Sequence, residues 1–337
     1  MSRPFCISIV GIFALVLLLA GCQSLFSRGQ SGVVPLPVHV GKTGLEMSFL
    51  ENLPPAQAFS STPTTESIFP VAVKLANKGA ADIIEGYLSV GLEKDYLELK
   101  DWNIEGQEAF HVGTSSENIA FSLPGRSALD PVGEEDVVAL SVKALPLDTQ
   151  SQTHTSTIIM TACYQYETLS AAEVCINPEL FTTKPIEKIC QPGVTSIRQG
   201  QGAPIAITGV ETKMLPGPGV SILPQFLITL ENVAKGQALN PRSVAQACSS
   251  LPLTHDDWNV LALSDLRFSR FSLAHGDFDC SPAPLRLRDG KATLRCTLKP
   301  NLLRKEEGAF KTTLFMALEY GYTFSVSKNI QIDRIVQ

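Results

Sequence analysis

Residues 158–166 read Ile-Ile-Met-Thr-Ala-Cys-Tyr-Gln-Tyr, and residues 314–322 read Leu-Phe-Met-Ala-Leu-Glu-Tyr-Gly-Tyr. Met160, Tyr164 and Tyr166 each find their like 156 positions on, at Met316, Tyr320 and Tyr322. Alternate side chains of a strand face opposite ways, so Met160, Ala162, Tyr164 and Tyr166 share one face and Thr161 and Cys163 the other. The recurrence predicts two copies of one β-domain, each closing on a strand that carries Tyr-x-Tyr. A pair of tyrosines at the same place in both copies suits a fold requirement. The rings are therefore read as core that hydrogen-bonds the backbone, as in a tyrosine corner, ahead of a sugar-stacking surface.

Two further landmarks keep nearly the same spacing. Leu75-Ala76-Asn77 returns as Leu230-Glu231-Asn232 at an offset of 155, and Asp101-Trp102-Asn103 as Asp257-Trp258-Asn259 at 156. Around them run period-2 patterns: Val71/Val73/Leu75, Leu88/Val90/Leu92, Val138/Leu140/Val142 and Phe226/Ile228/Leu230. Turn chemistry separates the runs, with Asn77-Lys78-Gly79, Pro124-Gly125 and Asp130-Pro131. Short alternating strands without a long helical period predict an all-β fold of two tandem immunoglobulin-like sandwiches, at residues 45–187 and 188–337. Asn240-Pro241 reads as a helix start, with Val244, Cys248 and Leu251 on one face, so one short helix is expected near residues 241–249. Asp289-Gly290 reads as a two-residue hairpin turn between residues 285–287 and 292–294. Gly200-Gln201-Gly202 lacks the spacing and βα context of a phosphate-cradling loop and is read as a turn feeding a strand at 205–210.

The 337-residue length suits two domains, and charged residues, at 18%, are fewer than in most globular chains. A net charge of −6 with no basic tract argues against nucleic acid as partner. Of eight cysteines, Cys6 lies in the N-terminal segment and Cys22 at its end; Cys163, Cys175, Cys190, Cys248, Cys280 and Cys296 are left in the body. An even set in an exported chain reads as disulfides. Glu319 replaces Cys163 in the second copy, which places that face toward water and predicts that Cys163 reaches forward to Cys175. Cys280 and Cys296 flank the Asp289-Gly290 hairpin and are its natural pair, with a bulge or twist required by register. Cys190–Cys248 follows by elimination.

Residues 1–21 carry Arg3 and an apolar run from Ile7 to Ala20, too short to span a bilayer as a helix. The run ends in Leu19-Ala20-Gly21-Cys22, which resembles the lipobox of prokaryotic lipoproteins. That resemblance implies removal of residues 1–21, a diacylglyceryl unit and palmitate on Cys22, and a body anchored to a membrane outside the cytoplasm. Residues 22–44 are polar and rich in glycine and serine before Pro35-x-Pro37, and read as a tether. The stretches 44–55 (GLEMSFLENLPP), 69–80 (FPVAVKLANKGA), 162–168 (ACYQYET) and 200–204 (GQGAP) resemble exported archaeal proteins with immunoglobulin-like domains. Asn-Lys-Gly after an alternating strand is similar to CARDB-type adhesion modules. The likeness implies tandem immunoglobulin-like domains in the cell envelope and brings no catalytic or ligand-binding residue with it.

His39, His111, His154, His255 and His275 are scattered without metal-ligand spacing, and no Gly-x-Ser-x-Gly occurs. His255-Asp256-Asp257 is the densest polar cluster and reads as a solvated loop; Asp277-x-Asp279 lacks the oxygens of a calcium loop. No catalytic, cofactor-binding or metal-binding residue is assigned. The expectation is a lipid-anchored envelope protein with a non-catalytic adhesion or assembly role, whose partner is another envelope protein or a glycan. The alternatives are an envelope hydrolase with a site between the domains and a ligand-binding lipoprotein.

Overall fold

A computed structural model describes residues 38–105, 107–113, 115–179 and 189–335. Cys22 and the predicted signal segment fall outside them. The strands of the first half are β1 (Leu45–Phe49), β2 (Gln57–Phe59), β3 (Ser67–Asn77), β4 (Ile83–Gly91), β5 (Leu97–Asn103), β6 (Phe110–Val112), β7 (Asn118–Leu123), β8 (Glu135–Ala144) and β9 (Thr153–Ile176). Those of the second are β10 (Val194–Ser196), β11 (Ile205–Pro216), β12 (Ile222–Asn232), β13 (Gln237–Leu239), β14 (Val260–Phe268), β15 (Phe271–Ser272), β16 (Phe278–Ser281), β17 (Leu285–Arg286), β18 (Lys291–Leu298) and β19 (Phe310–Asp333). One α-helical turn, α1 (Val244–Ala247), follows a 3-10 turn at Pro241–Ser243. The chain is all-β, as the alternation indicates.

Each half has a front sheet of its own. The first is ordered β1-β3-β8-β5 and the second β10-β11-β12-β18-β16. Val71, Val73, Leu75, Val138, Leu140 and Val142 turn inward in the first and Phe226, Ile228 and Leu230 in the second, all fully buried. The back sheet is shared. Its order β15-β14-β19-β9-β4-β7-β6 crosses from one half to the other through β9 and β19, which are 24 residues each. These two pair antiparallel without a break from Thr153↔Asp333 to Ile176↔Phe310. At about 3.3 Å per residue each is roughly 80 Å long, far beyond an ordinary strand.

The register reveals the symmetry. Tyr166 lies opposite Tyr320 and Tyr164 opposite Tyr322, while the repeat relates Tyr164 to Tyr320 and Tyr166 to Tyr322. Both relations hold together only if an approximate two-fold axis passes through the pair Gln165↔Gly321. Before the axis β9 pairs β4 at Ile159–Tyr164, and β19 pairs β14 at Phe315–Glu319. Beyond it each long strand continues as part of the other half's back sheet. The two halves thus exchange strand ends within one chain.

The sandwiches expected at residues 45–187 and 188–337 are therefore not separate bodies: the described residues pack as one compact unit, with a hydrophobic core continuous through both lobes. The predicted tether also ends earlier than its composition implies. Gly41 is bridged to Gly200, its N–H donating to Gln199 O at 2.8 Å and its carbonyl accepting from Gly202 N–H at 2.9 Å.

The repeat landmarks separate into true and accidental ones. Leu75-Ala76-Asn77 and Leu230-Glu231-Asn232 end equivalent strands, β3 and β12. Asp101-Trp102-Asn103 lies in β5, paired to β8, whereas Asp257-Trp258-Asn259 precedes β14, the counterpart of β4. The tryptophan match is coincidental, because the 3-10 and α1 segment inserted after β13 is offset by a shorter run between β14 and β18.

Candidate functional site

The four tyrosines meet at the two-fold axis. Tyr164 and Tyr166 are edge to face at 5.6 Å, Tyr320 and Tyr322 at 6.5 Å; Tyr164–Tyr322 and Tyr166–Tyr320 close the ring at 6.0 and 6.4 Å. All four are at most 3% exposed, so no ring face is open to a sugar. Each hydroxyl ties a turn or strand start to the box. Tyr166 donates to Gly202 O at 3.2 Å with Asn77 Oδ1 at 3.4 Å, and Tyr322 donates to Asn232 Oδ1 at 3.0 Å. Tyr320 Oη accepts from Ile205 N–H, the first residue of β11, and lies 2.8 Å from Thr168 Oγ1. The Tyr164 hydroxyl bonds the backbone of Leu45, the first residue of β1. Burial raises Tyr164 and Tyr320 well above the ordinary value of 10, raises Tyr166, and pushes Tyr322 to about 12. Gly79 and Gly202 leave room for this: a Cβ on Gly79 would sit 1.7 Å from Tyr166 Oη, and Gly202 has φ of +68°. The box is a structural clasp.

All six body cysteines are bonded, but two of the three expected pairings are corrected. The disulfides are Cys163–Cys248, Cys175–Cys190 and Cys280–Cys296. Cys163 does lie on the face opposite the tyrosines, yet it is fully buried, because α1 covers it with Val244 and Cys248. The absence of Cβ at Gly321 admits this helix: a Cβ there would meet Val244 Cγ2 at 2.6 Å and Leu239 Cβ at 2.9 Å. Asn240 Oδ1 caps the segment by accepting from Arg242 N–H at 3.1 Å, while Leu251, expected on the buried face, is 62% exposed. Cys175 stands near the end of β9, twelve residues beyond Cys163 on the same extended strand and so out of its reach, and takes Cys190 instead. Cys280 and Cys296 face each other in the β16–β18 register. Asp289 and Gly290 form the expected turn, with φ of 50° and 74°, but Leu285–Arg286 pairs β14 rather than β18.

The polar clusters have structural partners. Asp257 accepts from Thr254 N–H and Oγ1–H, both at 2.7 Å, and Asp256 pairs Arg286 at 3.0 Å. Hydrogen bonds from Ser243 and then Thr254 lower the Asp257 carboxyl. Asp277 Oδ2 accepts from Ser272 N–H at 2.9 Å, and His154 stacks on Tyr96 at 3.6 Å and meets Glu93 at 3.0 Å. Among the described residues no group of three or more His, Cys, Asp or Glu could hold a metal ion.

A groove of about 910 Å³ opens at the end of the first lobe, between Leu97, Leu99, Trp102, Ile104, Val112 and Ile119. Trp102 donates its indole N–H to the carbonyl of Ser116, another lining residue, at 3.2 Å, and Lys94–Glu117 (3.0 Å) and Lys100–Glu98 (3.6 Å) pair at the rim. By offset and register Val71 and Leu92 stand where the second lobe has Phe226 and Phe268. There Phe226, Phe268 and Phe278 fill the space, with centroids 5.4 to 6.5 Å apart. Of the two smaller first-lobe side chains, Leu92 lines the open groove. A cleft of about 620 Å³ lies beside the two-fold axis and is lined by Lys42, Lys74, Lys78 and Lys235. Neither concavity has His or Cys in its lining, and sequence reading found neither; four lysines separated by up to 193 positions carry no linear signal.

No family model matches the chain, and no curated protein matches it. Among solved structures, the C-terminal domain of the Streptococcus agalactiae AgI/II polypeptide BspA is similar at 8% identity and a TM-score of 0.16, over 86% of this chain and 98% of that one. The C-terminal domain of the Streptococcus pyogenes antigen I/II-family protein AspA gives 8% and 0.16, over 87% and 100%. The CupB6 tip adhesin from Pseudomonas aeruginosa gives 12% and 0.18, over 88% and 100%. Likenesses this loose carry neither fold nor function, which rest on the chain's own geometry.

Proposed function

We propose that the chain is an exported cell-envelope protein, tethered by lipid on Cys22, whose fused twin sandwiches serve as a non-catalytic binding or assembly module. The observation that carries this reading is the disulfide set: all six body cysteines pair, which suits an oxidising compartment outside the cytoplasm. The lipobox-like Leu19-Ala20-Gly21-Cys22 supplies the mode of attachment, and no helix among the described residues is long and apolar enough to cross a membrane. The first-lobe groove, apolar within and edged by Lys94 and Lys100 among the carboxylates of Glu98, Asp101, Glu105 and Glu117, is the surface offered to a partner protein or glycan.

The test uses the full chain in cells that process lipoproteins, fed a labelled fatty acid. Wild type takes up label and fractionates with membrane, while Cys22→Ser takes up none and is released. A Cys22→Ser chain still membrane-bound and normally processed contradicts the tether. Reproducible turnover of any substrate, abolished by one substitution, contradicts the non-catalytic role.

A further inference from the structure

We propose that the lysine-lined cleft beside the two-fold axis docks on anionic lipid headgroups, holding one face of the body against the membrane that carries its tether. The cleft is formed by residues 42–48, the end of β3 and the turn at residues 233–236, with Tyr164, Tyr322 and Phe324 also lining it. Among the described residues that line it, Lys42, Lys74, Lys78 and Lys235 stand against two carboxylates, Glu46 and Glu135. Lys74 and Lys78 share the single charge of Glu135, at 3.1 and 3.3 Å. Lys42 and Lys235 are exposed. The cleft is therefore net positive on a chain whose overall charge is −6.

The fold does not demand these lysines. At the repeat offset of 155, Lys74 and Lys78 correspond to Thr229 and Val233 in the second lobe, where the same strand and turn form without them. Half-buried Phe324 among the lysines adds an apolar contact of the kind that suits a headgroup boundary.

Position selects the occupant. The chain joins the body at this cleft, where Gly41 is bridged to Gly200 and Arg126 Nη2 donates to Val40 O. Val38 is sixteen residues after Cys22, a span of at most about 55 Å. On the tether reading, which this inference rests on, the cleft is thus held within reach of the lipid surface. Lysines within a Debye length of an anionic surface each strengthen binding about fivefold.

The experiment uses the chain from Gln23 onward, so that neither lipid on Cys22 nor the apolar run of residues 7–20 contributes. It is sedimented with vesicles of phosphatidylcholine alone or mixed with phosphatidylglycerol, at low and high salt. Binding should favour the anionic vesicles and weaken with salt, and Lys42→Gln/Lys78→Gln/Lys235→Gln should reduce it on the order of a hundredfold. Lys291→Gln/Lys299→Gln/Lys311→Gln, matched in charge but outside the cleft, should leave it unchanged. All six positions are exposed or half-buried, and an unchanged thermal midpoint confirms that both variants fold. Equal loss in both triple variants, binding indifferent to headgroup charge, or binding to soluble polyphosphate without binding to vesicles would each overturn the proposal. These readouts do not depend on lipid at Cys22, so failure of the tether and failure of the cleft are distinguishable.

Discussion

Asn77 and Asn232 occupy equivalent corners, and their surroundings set different stakes. Asn77 is fully buried, donates to Ala81 O and Leu123 O at 2.9 and 3.0 Å, and accepts from Gly79 N–H at 3.2 Å besides lying by Tyr166. Asn232 is half-buried, donates once, to Gly236 O at 2.8 Å, and accepts from Ala234 N–H at 3.3 Å and from the Tyr322 hydroxyl at 3.0 Å. Asn77→Ala should therefore cost about 3 kcal/mol and Asn232→Ala about 1 kcal/mol in urea unfolding; equal losses would contradict this account. The tyrosines beside them predict alkaline sensitivity. Their folded pKa values lie above the ordinary value of 10, so the folded state keeps its protons longer than the unfolded one. The resulting stability is fully present below pH 10 and is lost as pH rises toward the folded values. The melting temperature should fall above about pH 10, with tyrosinate absorbance from the box appearing only as the chain unfolds. Early titration of all six tyrosines in a still-folded chain would argue against a closed box.

At the scale of the element, the difference between Tyr-Gln-Tyr and Tyr-Gly-Tyr marks where the symmetry is broken. Gln165 Nε2 reaches Glu85 Oε2 at 2.8 Å and Pro241 O at 3.2 Å, while Gly321 yields its space to the α1 segment. Gly321→Gln should push that segment off the sheet at a cost of about 1–3 kcal/mol, whereas Gln165→Gly should cost under about 1 kcal/mol; thermal melts rank them. The disulfides rank by the loop each closes. Cys163–Cys248 spans 85 residues, against 15 and 16 for the others. Replacing both of its cysteines by alanine should cost about 4–5 kcal/mol, against about 3 kcal/mol for Cys280–Cys296, in the chain-entropy model. A reversed ranking in chemical denaturation would contradict it.

For the whole molecule, the exchanged halves of β9 and β19 make each lobe depend on the other. Neither lobe has a complete back sheet alone, and Cys248, which follows α1 in the second, is bonded to Cys163 in β9 of the first. Scanning calorimetry should show one transition whose calorimetric and van't Hoff enthalpies agree; two separated transitions would refute the fusion. Chain ending at Glu179 should not fold cooperatively, since β9 would lose its partner along all 24 residues.

The sequence by itself determined the strand class, the inward face of every alternating run, the pairing of β3 with β12 as repeats and the burial of Tyr164, Tyr166, Tyr320 and Tyr322. Period-2 hydrophobicity is local, and a buried face enforces it residue by residue. It also reached the helix start at Asn240-Pro241 and the Cys280–Cys296 pair, whose partners are close along the chain. Tertiary structure alone decided the length of β9 and the strand exchange. Past the axis its inward positions include Thr168 and Ser170, polar side chains that blur the pattern although both are buried. It likewise decided Cys163–Cys248, because a thiol on an outward face is buried only once an inserted helix from the other repeat lies over it. The groove and the lysine cleft belong to the same class: their linings come from separated segments, and only folding makes them neighbours.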